Sequence, residues 1–356
     1  MLLILAAAIG LALANTPAGP AVIRFTEARI GILSVDGWIT DGLLAIFFFL
    51  AAIELKHELV HGELDSIRKA IVPASAALGG VIVPALIYLA VTHSAAVADG
   101  WPIPTATDIA FALGVLALAG RGLPPRVRAL LLALAVLDDL IAIVIIAVFF
   151  TARLDWLPLV LAVPVIVGFA LISRIGSRWW TVALLIVLGI GAWTLVYLSG
   201  VHPTVAGVAL GLAMSGSSGA HARRALDPVS NAVILPLFAF IAALVPIPVV
   251  GIARLSPAFW AIVIALPVGK LVGILLGAGV AIALTRRSTE TPPLGDVLVV
   301  ASLGGIGFTV SLLMTRLAWQ TDAGLVSQGT IAVLVASVIA GITGAVVTRL
   351  RARRYL

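Results

Sequence analysis

Long apolar segments recur along the whole chain, and they constrain its fold more than any other feature. A helix needs about 20 mostly apolar residues to cross the hydrocarbon core of a bilayer. About twelve such segments predict an all-α polytopic membrane protein with one membrane transporter domain over residues 1–356. The segments are roughly 1–14, 38–54, 71–91, 102–120, 129–151, 156–172, 180–198, 201–215, 228–250, 257–285, 296–317 and 326–348.

The composition excludes the soluble classes of protein. Of the 356 residues, 62% are apolar and 11% are charged, whereas an ordinary globular chain has about 25% charged residues. So few charges cannot cover a water-facing surface, so a soluble enzyme and a disordered chain are both excluded. The sequence contains no cysteine, which removes disulfides and thiolate metal sites. The net charge of +6 does not indicate nucleic acid, because the basic residues lie between apolar segments.

Basic residues predict the orientation in the membrane. The connections between apolar segments can be assigned alternately to the two sides of the membrane, starting from a cytoplasmic N-terminus. Most of the 22 basic residues then fall on one side of the membrane. The positive-inside rule makes that side cytoplasmic and favours an even number of helices, with both termini in the cytoplasm. We expect the first segment to be a retained helix and not a cleaved signal peptide, because it lacks a basic start.

The longest external connection contains residues 21–37. Its β-branched residues and the Asp36-Gly37 turn signal predict a small external β-hairpin. An irregular loop is the alternative.

Ionisable residues within apolar segments are costly, so each one marks a candidate functional site. Asp41 opens the second segment, and Asp138 and Asp139 lie at the middle of the fifth. Adjacent helical residues point about 100° apart, so one carboxylate can line a cavity while the other meets a neighbouring helix. Buried carboxylates can hold either a proton or a small hard cation, which is the chemistry of a cation/proton exchanger. The alternative is a pair of acids that serve only to satisfy neighbouring donors.

Lys270 is too far from either end of its segment to reach the membrane surface. It therefore needs an acidic partner, for which the buried aspartates are the candidates. A buried lysine can also release its proton, so one of the aspartates and Lys270 could both carry protons and make exchange electrogenic.

Two segments have interrupted helical patterns. Pro102 and Pro104 precede Thr107 and Asp108 in one, and Gly304, Gly305 and Gly307 cluster in the other. Each break lies in the middle of a three-segment unit, over approximately residues 71–151 and 257–348, which predicts inverted-topology repeats with two discontinuous helices. Asp108 and Lys270 carry charges that are suitable to compensate the partial charges of the helix ends at such a crossing. For the glycines, close helix packing is the alternative.

The cytoplasmic end of the second segment carries Glu54, Lys56, His57, Glu58 and His61. This pattern indicates an acidic cation funnel whose histidines titrate near neutral pH. An ordinary solvated helix end explains it equally well.

These motifs together resemble the NhaA sodium/proton antiporters. The similarity covers almost the whole chain in order. It rests on ELKHEL (54–59), TDIAFALGVLAL (107–118), LDDL (137–140), VILPLFAF (233–240), GK (269–270) and GIGFTVS (305–311).

The resemblance implies twelve helices, a crossing of the two broken ones, a homodimer formed through the external hairpin, and a bacterial inner membrane location. It implies Na⁺ or Li⁺ and H⁺ as transported ions, without a cofactor. Asp139 would be the cation ligand and main proton carrier, and Asp138 would share the Na⁺ site and pair with Lys270. Thr107 and Asp108 would lie at the crossing, and Glu54, Lys56 and Glu58 in a pH-response region.

The chain departs from the family pattern in places. His57 replaces the usual arginine, 241–243 reads Ile-Ala-Ala, and Arg223 and Arg224 stand where acid and histidine are common. These departures affect the pH response more than the transport site.

Other classes remain as alternatives. A proton- or sodium-coupled symporter of small solutes would need more polar residues at mid-membrane. An intramembrane aspartyl protease would need its two aspartates on different helices. A passive channel would favour repeated filter loops.

Overall fold

The computed structural model describes residues 2–62, 64, 66–93, 95–151, 154–176, 178–247, 254–285 and 292–355. Arg153, Arg286 and Arg287, which contributed to the orientation prediction, lie outside these residues.

Helices dominate the described residues, and two short strands accompany them. The helices are Leu2–Ala14 (α1), Gly19–Glu27 (α2), Val35–Gly37 (α3), Leu44–His61 (α4), Ile67–Thr92 (α5), Ala95–Ala98 (α6), Ile109–Ala119 (α7), Pro125–Phe149 (α8), Trp156–Ser173 (α9), Trp179–Leu198 (α10), Thr204–Ala213 (α11), Gly216–Val229 (α12), Leu235–Ala242 (α13), Pro257–Ile264 (α14), Lys270–Leu284 (α15), Leu294–Gly304 (α16), Phe308–Ala318 (α17) and Ala323–Ala352 (α18). The strands are Arg29–Ile30 (β1) and Leu33–Ser34 (β2). The described residues also form π-helical segments at Trp38–Leu43, Ser230–Ile234 and Ala265–Gly269, and a 3₁₀ turn at Ile103–Thr105.

The lengths and apolar character of these helices fit a multi-pass membrane protein. Within the described residues, eight continuous helices are long and apolar enough to cross a bilayer. Two further pairs qualify only as bent spans: α1 with α2, bent by 111°, and α16 with α17, bent by 46°. The shorter apolar helices α7 and α11 do not reach spanning length. The chain is therefore an all-α polytopic membrane protein, as its composition predicts.

Residues 21–37, predicted to form an external β-hairpin, differ from that prediction. Residues 21–27 belong to helix α2, because Pro20 occupies the first turn, where its fixed φ and missing N–H favour helix initiation. The antiparallel pairing is confined to β1 and β2, with Ile30 opposite Leu33. The tight turn falls at Gly31, which has φ +69°, and not at Asp36-Gly37. Asp36 and Gly37 instead lie in a helical turn capped by the Ser34 side chain.

The chain divides into two compact units. The first contains Met1–His57 and Ile143–Pro246. In it, helix α1 packs so closely against α13 that a Cβ on Gly10 would lie 2.3 Å from the carbonyl oxygen of Phe240. Helices α9, α10 and α11 surround a small core that includes Phe169 and Leu210.

The second unit contains Glu58–Ala142 and Ile247–Leu356, and it holds the larger core. Helices α5 and α15 pack along a seam of small residues. A Cβ on Gly273 would collide with the backbone of Gly79, and one on Gly277 with the backbone of Ser75. Such close approach is typical of membrane helices, which gain stability from van der Waals contact. The seam fixes α15 at the point where it carries Lys270.

Changing Gly273 to alanine should destabilise the second unit. The added methyl group would lie 2.7 Å from the carbonyl carbon of Gly79, so the helices must separate, at a cost of about 1–3 kcal/mol. Gly279→Ala on the same helix is the control, since a Cβ there meets no atom of the described residues within 4 Å. Thermal denaturation of the purified variants should show a lower midpoint for Gly273→Ala alone. Equal midpoints would mean that the seam does not stabilise the fold.

Candidate functional site

Two interruptions of helical structure meet inside the second unit. Residues 106–108 are non-helical between the 3₁₀ turn and α7, and residues 305–307 separate α16 from α17. The backbone N–H of Asp108 donates to the carbonyl of Ile306 at 2.6 Å. The Thr107 hydroxyl lies 2.8 Å from the carbonyl oxygen of Gly304, the last residue of α16. Each break therefore supplies hydrogen-bond partners to the other.

Asp108 joins the beginnings of two helices. Its Oδ1 accepts from the N–H of Phe111 at 2.9 Å, which caps α7. Its Oδ2 accepts from the N–H of Thr309 at 3.2 Å and from the Thr309 hydroxyl at 2.8 Å, in the first turn of α17. Helix N-termini carry partial positive charge, so one carboxylate here compensates two of them. The sequence analysis did not single out Thr309, although it lies only two residues after Gly307.

Asp138 and Lys270 form a buried ion pair beside this crossing. The Lys270 ammonium donates to Asp138 Oδ2, and both side chains are fully shielded from solvent. The same carboxylate oxygen lies 2.5 Å from the Thr107 hydroxyl. Asp138 Oδ1 has no hydrogen-bond partner among the described residues, so it is a buried oxygen available to a cation. The adjacent residue Asp139 is also buried, at 4% exposure.

The Thr107 hydroxyl has two acceptors and one proton. It can donate either to Asp138 Oδ2 or to the Gly304 carbonyl, but not to both at once. When it satisfies the carboxylate, the carbonyl at the end of α16 keeps its lone pairs for another partner. The arrangement therefore brings a carboxylate, a hydroxyl and a helix-end carbonyl together as oxygen ligands.

The glycines of the second break are required for space. A Cβ on Gly305 would lie 3.0 Å from Pro267 Cα and 3.2 Å from the Leu266 carbonyl, in the π-helical segment that precedes Lys270. A Cβ on Gly307 would lie 2.7 Å from the Leu266 side chain, and one on Gly304 2.5 Å from Ile274. None of the three glycines has a positive φ. Unwound backbone and close packing, offered as alternatives by the sequence, therefore occur together.

The C-terminal end of α4 is held by contacts in the first unit. Glu54 lies 3.3 Å from the guanidinium of Arg223. Lys56 donates to the carbonyls of Leu212 and Met214 at 2.8 and 2.7 Å, so its ammonium caps the end of α11. His57 is exposed and Glu58 is buried. A lysine at a helix C-terminus is a stabilising cap, so Lys56 has a structural role whether or not it takes part in a pH response.

Asp41 and His202 lie together in the first unit. The His202 Nε2 is 3.4 Å from Asp41 Oδ1, and its Nδ1 is 2.7 Å from the Thr204 hydroxyl. Both side chains are shielded from solvent, with 9% of the His202 side chain and 24% of the Asp41 side chain exposed. The sequence offered no pattern around His202 from which this pairing could be inferred.

The fold and the site in the second unit define a class of protein. Apolar helices cross the membrane, and buried ionisable groups converge where two interrupted helices meet, which is the arrangement of secondary transporters. The chain belongs to the Na⁺/H⁺ antiporter 1 family, whose family model matches residues 1–348. The recognition made from the sequence motifs is confirmed. Because this is a family of transporters, the prediction that the protein is not an enzyme also holds.

Several relatives carry names that agree with this family. The chain is 52% identical to Na⁺/H⁺ antiporter NhaA 2 of Clavibacter michiganensis subsp. michiganensis, over 99% of this chain and 90% of the relative. It is 43% identical to Na⁺/H⁺ antiporter NhaA of Tropheryma whipplei, over 90% and 83% of the two chains. It is 44% identical to Na⁺/H⁺ antiporter NhaA 3 of Streptomyces coelicolor, over 100% and 78%.

Proposed function

We propose that this protein exchanges Na⁺ or Li⁺ for H⁺ across the membrane at Asp138 and Asp139. The observation that carries the proposal is the buried contact of Thr107, Asp138 and Lys270 at the junction of the two helix breaks. A small-solute symporter is not favoured by the family. It would also need a larger set of polar side chains to recognise its substrate.

The cation would be held by oxygen atoms. Asp138 Oδ1, the Asp139 carboxylate, the Thr107 hydroxyl and the Gly304 carbonyl are hard ligands of the kind that small cations prefer. Among the described residues, no group of three or more His, Asp or Glu side chains could hold a metal ion. Two carboxylates and neutral oxygens suit a transported ion, because such an ion must leave the site as readily as it enters.

Protons would compete with the cation for the same carboxylates. Asp139 must lose its proton before it can act as a ligand. If the cation then draws Asp138 away, Lys270 loses its partner in a medium of low polarity and releases a second proton. Exchange of more than one proton for each Na⁺ would make transport electrogenic, and external protons would drive cytoplasmic sodium outward.

The architecture proposed for this cycle is a single transport domain of twelve helices. The count includes the bent pairs and the short helices α7 and α11. Inverted repeats over about residues 71–151 and 257–348 would each place a broken helix at the crossing. This is supported by the interruption before α7 and by the 46° bend between α16 and α17. Rocking of such repeats would give each side of the membrane access to the site in turn.

We place the protein in a bacterial inner membrane with both termini in the cytoplasm, on the distribution of basic residues. A homodimer would form through the external segment that carries β1 and β2.

The cytoplasmic funnel and pH-response region would be formed by Glu54, Lys56, His57 and Glu58. The ion pair of Glu54 with Arg223 supports a charged entrance at this end of α4.

Proteoliposome flux tests the function directly. A pH gradient is imposed across vesicles that contain the purified protein, and Na⁺, Li⁺, K⁺ or choline is added outside. We expect Na⁺ and Li⁺ to collapse the gradient and K⁺ and choline to leave it intact. Collapse that requires an added organic solute would favour the symporter, and an unchanged gradient with all cations would refute the antiporter.

Replacing Thr107 with valine should weaken Na⁺ binding. The change keeps the side-chain shape but removes the donor that Asp138 and Gly304 share, and it removes one cation ligand. An unsatisfied buried polar group costs about 1–3 kcal/mol, so we expect the apparent KM for Na⁺ to rise roughly tenfold. Thr107→Ser, which keeps the hydroxyl, is the control. The Na⁺ dependence of exchange at fixed pH measures both, and a valine variant with the serine variant's KM would exclude Thr107 from the site.

A further inference from the structure

A second buried acid lies in the second unit, away from the helix crossing. Asp296 is in the first turn of α16, and its side chain is 1% exposed. It accepts from Arg126 Nε at 3.1 Å, from Arg351 Nε at 2.9 Å, and from the Tyr355 hydroxyl, which is 2.9 Å from Oδ1 and 3.0 Å from Oδ2. We call these four residues the Asp296 clamp. In the sequence, Asp296 appeared only as the boundary of an apolar segment.

Further contacts join the members of the Asp296 clamp to one another. The Tyr355 oxygen accepts from Arg126 Nη2 at 2.9 Å and from Arg351 Nη2 at 3.1 Å while its proton serves the carboxylate. The Arg351 guanidinium also lies 4.9 Å from the centre of the Tyr355 ring. Space for this guanidinium comes from Gly295, where a Cβ would be 2.8 Å from Arg351 Cζ. A loose surface pair has none of these features.

The clamp ties together three helices that lead to the transport site. Arg126 is in the first turn of α8, which carries Asp138 and Asp139 farther along. Asp296 is at the start of α16, whose last residue, Gly304, offers its carbonyl to Thr107. Eight residues at 1.5 Å each put Gly304 about 12 Å from Asp296 along the helix. Arg351 is near the end of α18, which packs beside α16.

We propose that Asp296 is a positioning residue for the cation site. By holding the start of α16 to α8 and α18, it keeps the Gly304 carbonyl in register with Thr107 and Asp138. The role follows from the length of α16, because a short half-helix that ends at a break is not fixed by continuing chain. The inference rests on the proposed function, and it assigns Asp296 to preorganisation of the ligands and not to proton or cation transfer.

Three variants and a matched control test the proposal. Asp296→Asn keeps the shape but leaves two guanidinium groups without their anion, Arg126→Gln removes one arm, and Tyr355→Phe removes only the hydroxyl. Arg128→Gln is the control. Arg128 is an exposed arginine two residues after Arg126 on α8, so its replacement removes the same charge from that helix without touching the clamp. Na⁺ dependence of exchange in proteoliposomes gives KM and kcat, and hydrogen exchange of the α16 amides reports how stably that helix is held.

We expect the apparent KM for Na⁺ to rise about fivefold in Asp296→Asn and about twofold in Tyr355→Phe, with kcat within about twofold. The reason is that the free site is no longer preorganised, so ordering its ligands opposes cation binding. The α16 amides should exchange faster in both variants, and Arg128→Gln should match wild type in every measurement. If Asp296→Asn does not fold, Tyr355→Phe decides, since it removes one oxygen.

Two results would overturn the positioning role. One is an unchanged KM in folded clamp variants, even with faster exchange of α16, which would leave the clamp a purely structural contact. The other is an equal KM shift in Arg128→Gln, which would assign the effect to surface charge. Wild-type protein that exchanges no Na⁺ would instead refute the proposed function, so the two failures are separable.

Discussion

Asp139→Asn should abolish Na⁺-driven proton flux. The amide keeps the size and the burial of the aspartate, but it can neither carry a proton nor supply the negative charge that a hard cation needs. Because the proposed exchange uses one carboxylate for both ions in turn, both half-reactions are lost together. We expect flux in proteoliposomes to fall to the level of protein-free vesicles, and Na⁺ addition to detergent-solubilised protein to release no protons.

The control for this prediction is Asp155→Asn. Asp155 is exposed at the start of α9 and caps it through the N–H of Leu157, so its loss should leave transport intact. Both proteins should purify as folded material, because the amide side chain introduces no charge. Robust Na⁺-driven proton flux by Asp139→Asn would remove this residue from the transport cycle and leave Asp138 as the carrier.

Lys270→Gln should cause the largest loss of stability. Its ammonium is the ion-pair partner of Asp138, and both side chains lie out of contact with solvent. Removing one member of a buried pair leaves an uncompensated charge, which costs about 3–5 kcal/mol, whereas replacing both members by groups of similar shape is often nearly neutral. The double variant Asp138→Asn with Lys270→Gln should therefore unfold at a higher temperature than either single variant, although it removes more of the native interaction.

Thermal unfolding in detergent of the two single variants and the double variant completes this cycle. Arg128→Gln, at an exposed position of α8, controls for the loss of a basic residue and should leave the midpoint unchanged. If the double variant were less stable than both single variants, Asp138 and Lys270 would each interact more strongly with some other group than with each other. Flux measured on the same samples with and without an imposed potential would then show whether Lys270 also carries a proton.

The local sequence was sufficient for the class of protein and for naming candidate residues of the site. Bilayer-length apolar segments determine helices, because unpaired backbone groups are intolerable in hydrocarbon. Charges inside such segments are too costly to occur without a use, which singled out Asp108, Asp138 and Lys270. The structure of residues 21–37 was less predictable. Its β-branched residues favoured strands, but a proline and a short amphipathic stretch made 21–27 helical, and strands remain only at 29–30 and 33–34.

The family resemblance implied that Asp138 pairs with Lys270, but the other partners of these residues were decided by the tertiary structure alone. Thr107 and Gly304 are 197 positions apart, and Asp138 and Lys270 are 132 apart, so no local pattern could show which carboxylate the lysine meets. The same holds for Asp108, which compensates the N-termini of α7 and α17, and for Lys56, which caps α11. Asp296 is the clearest case, because its three partners, Arg126, Arg351 and Tyr355, come from two other segments. The sequence determined which groups must be buried, because the bilayer penalises charge. Their partners depended on how the helices pack, since a hydrogen bond requires contact within about 3 Å and that distance is set only when distant segments come together.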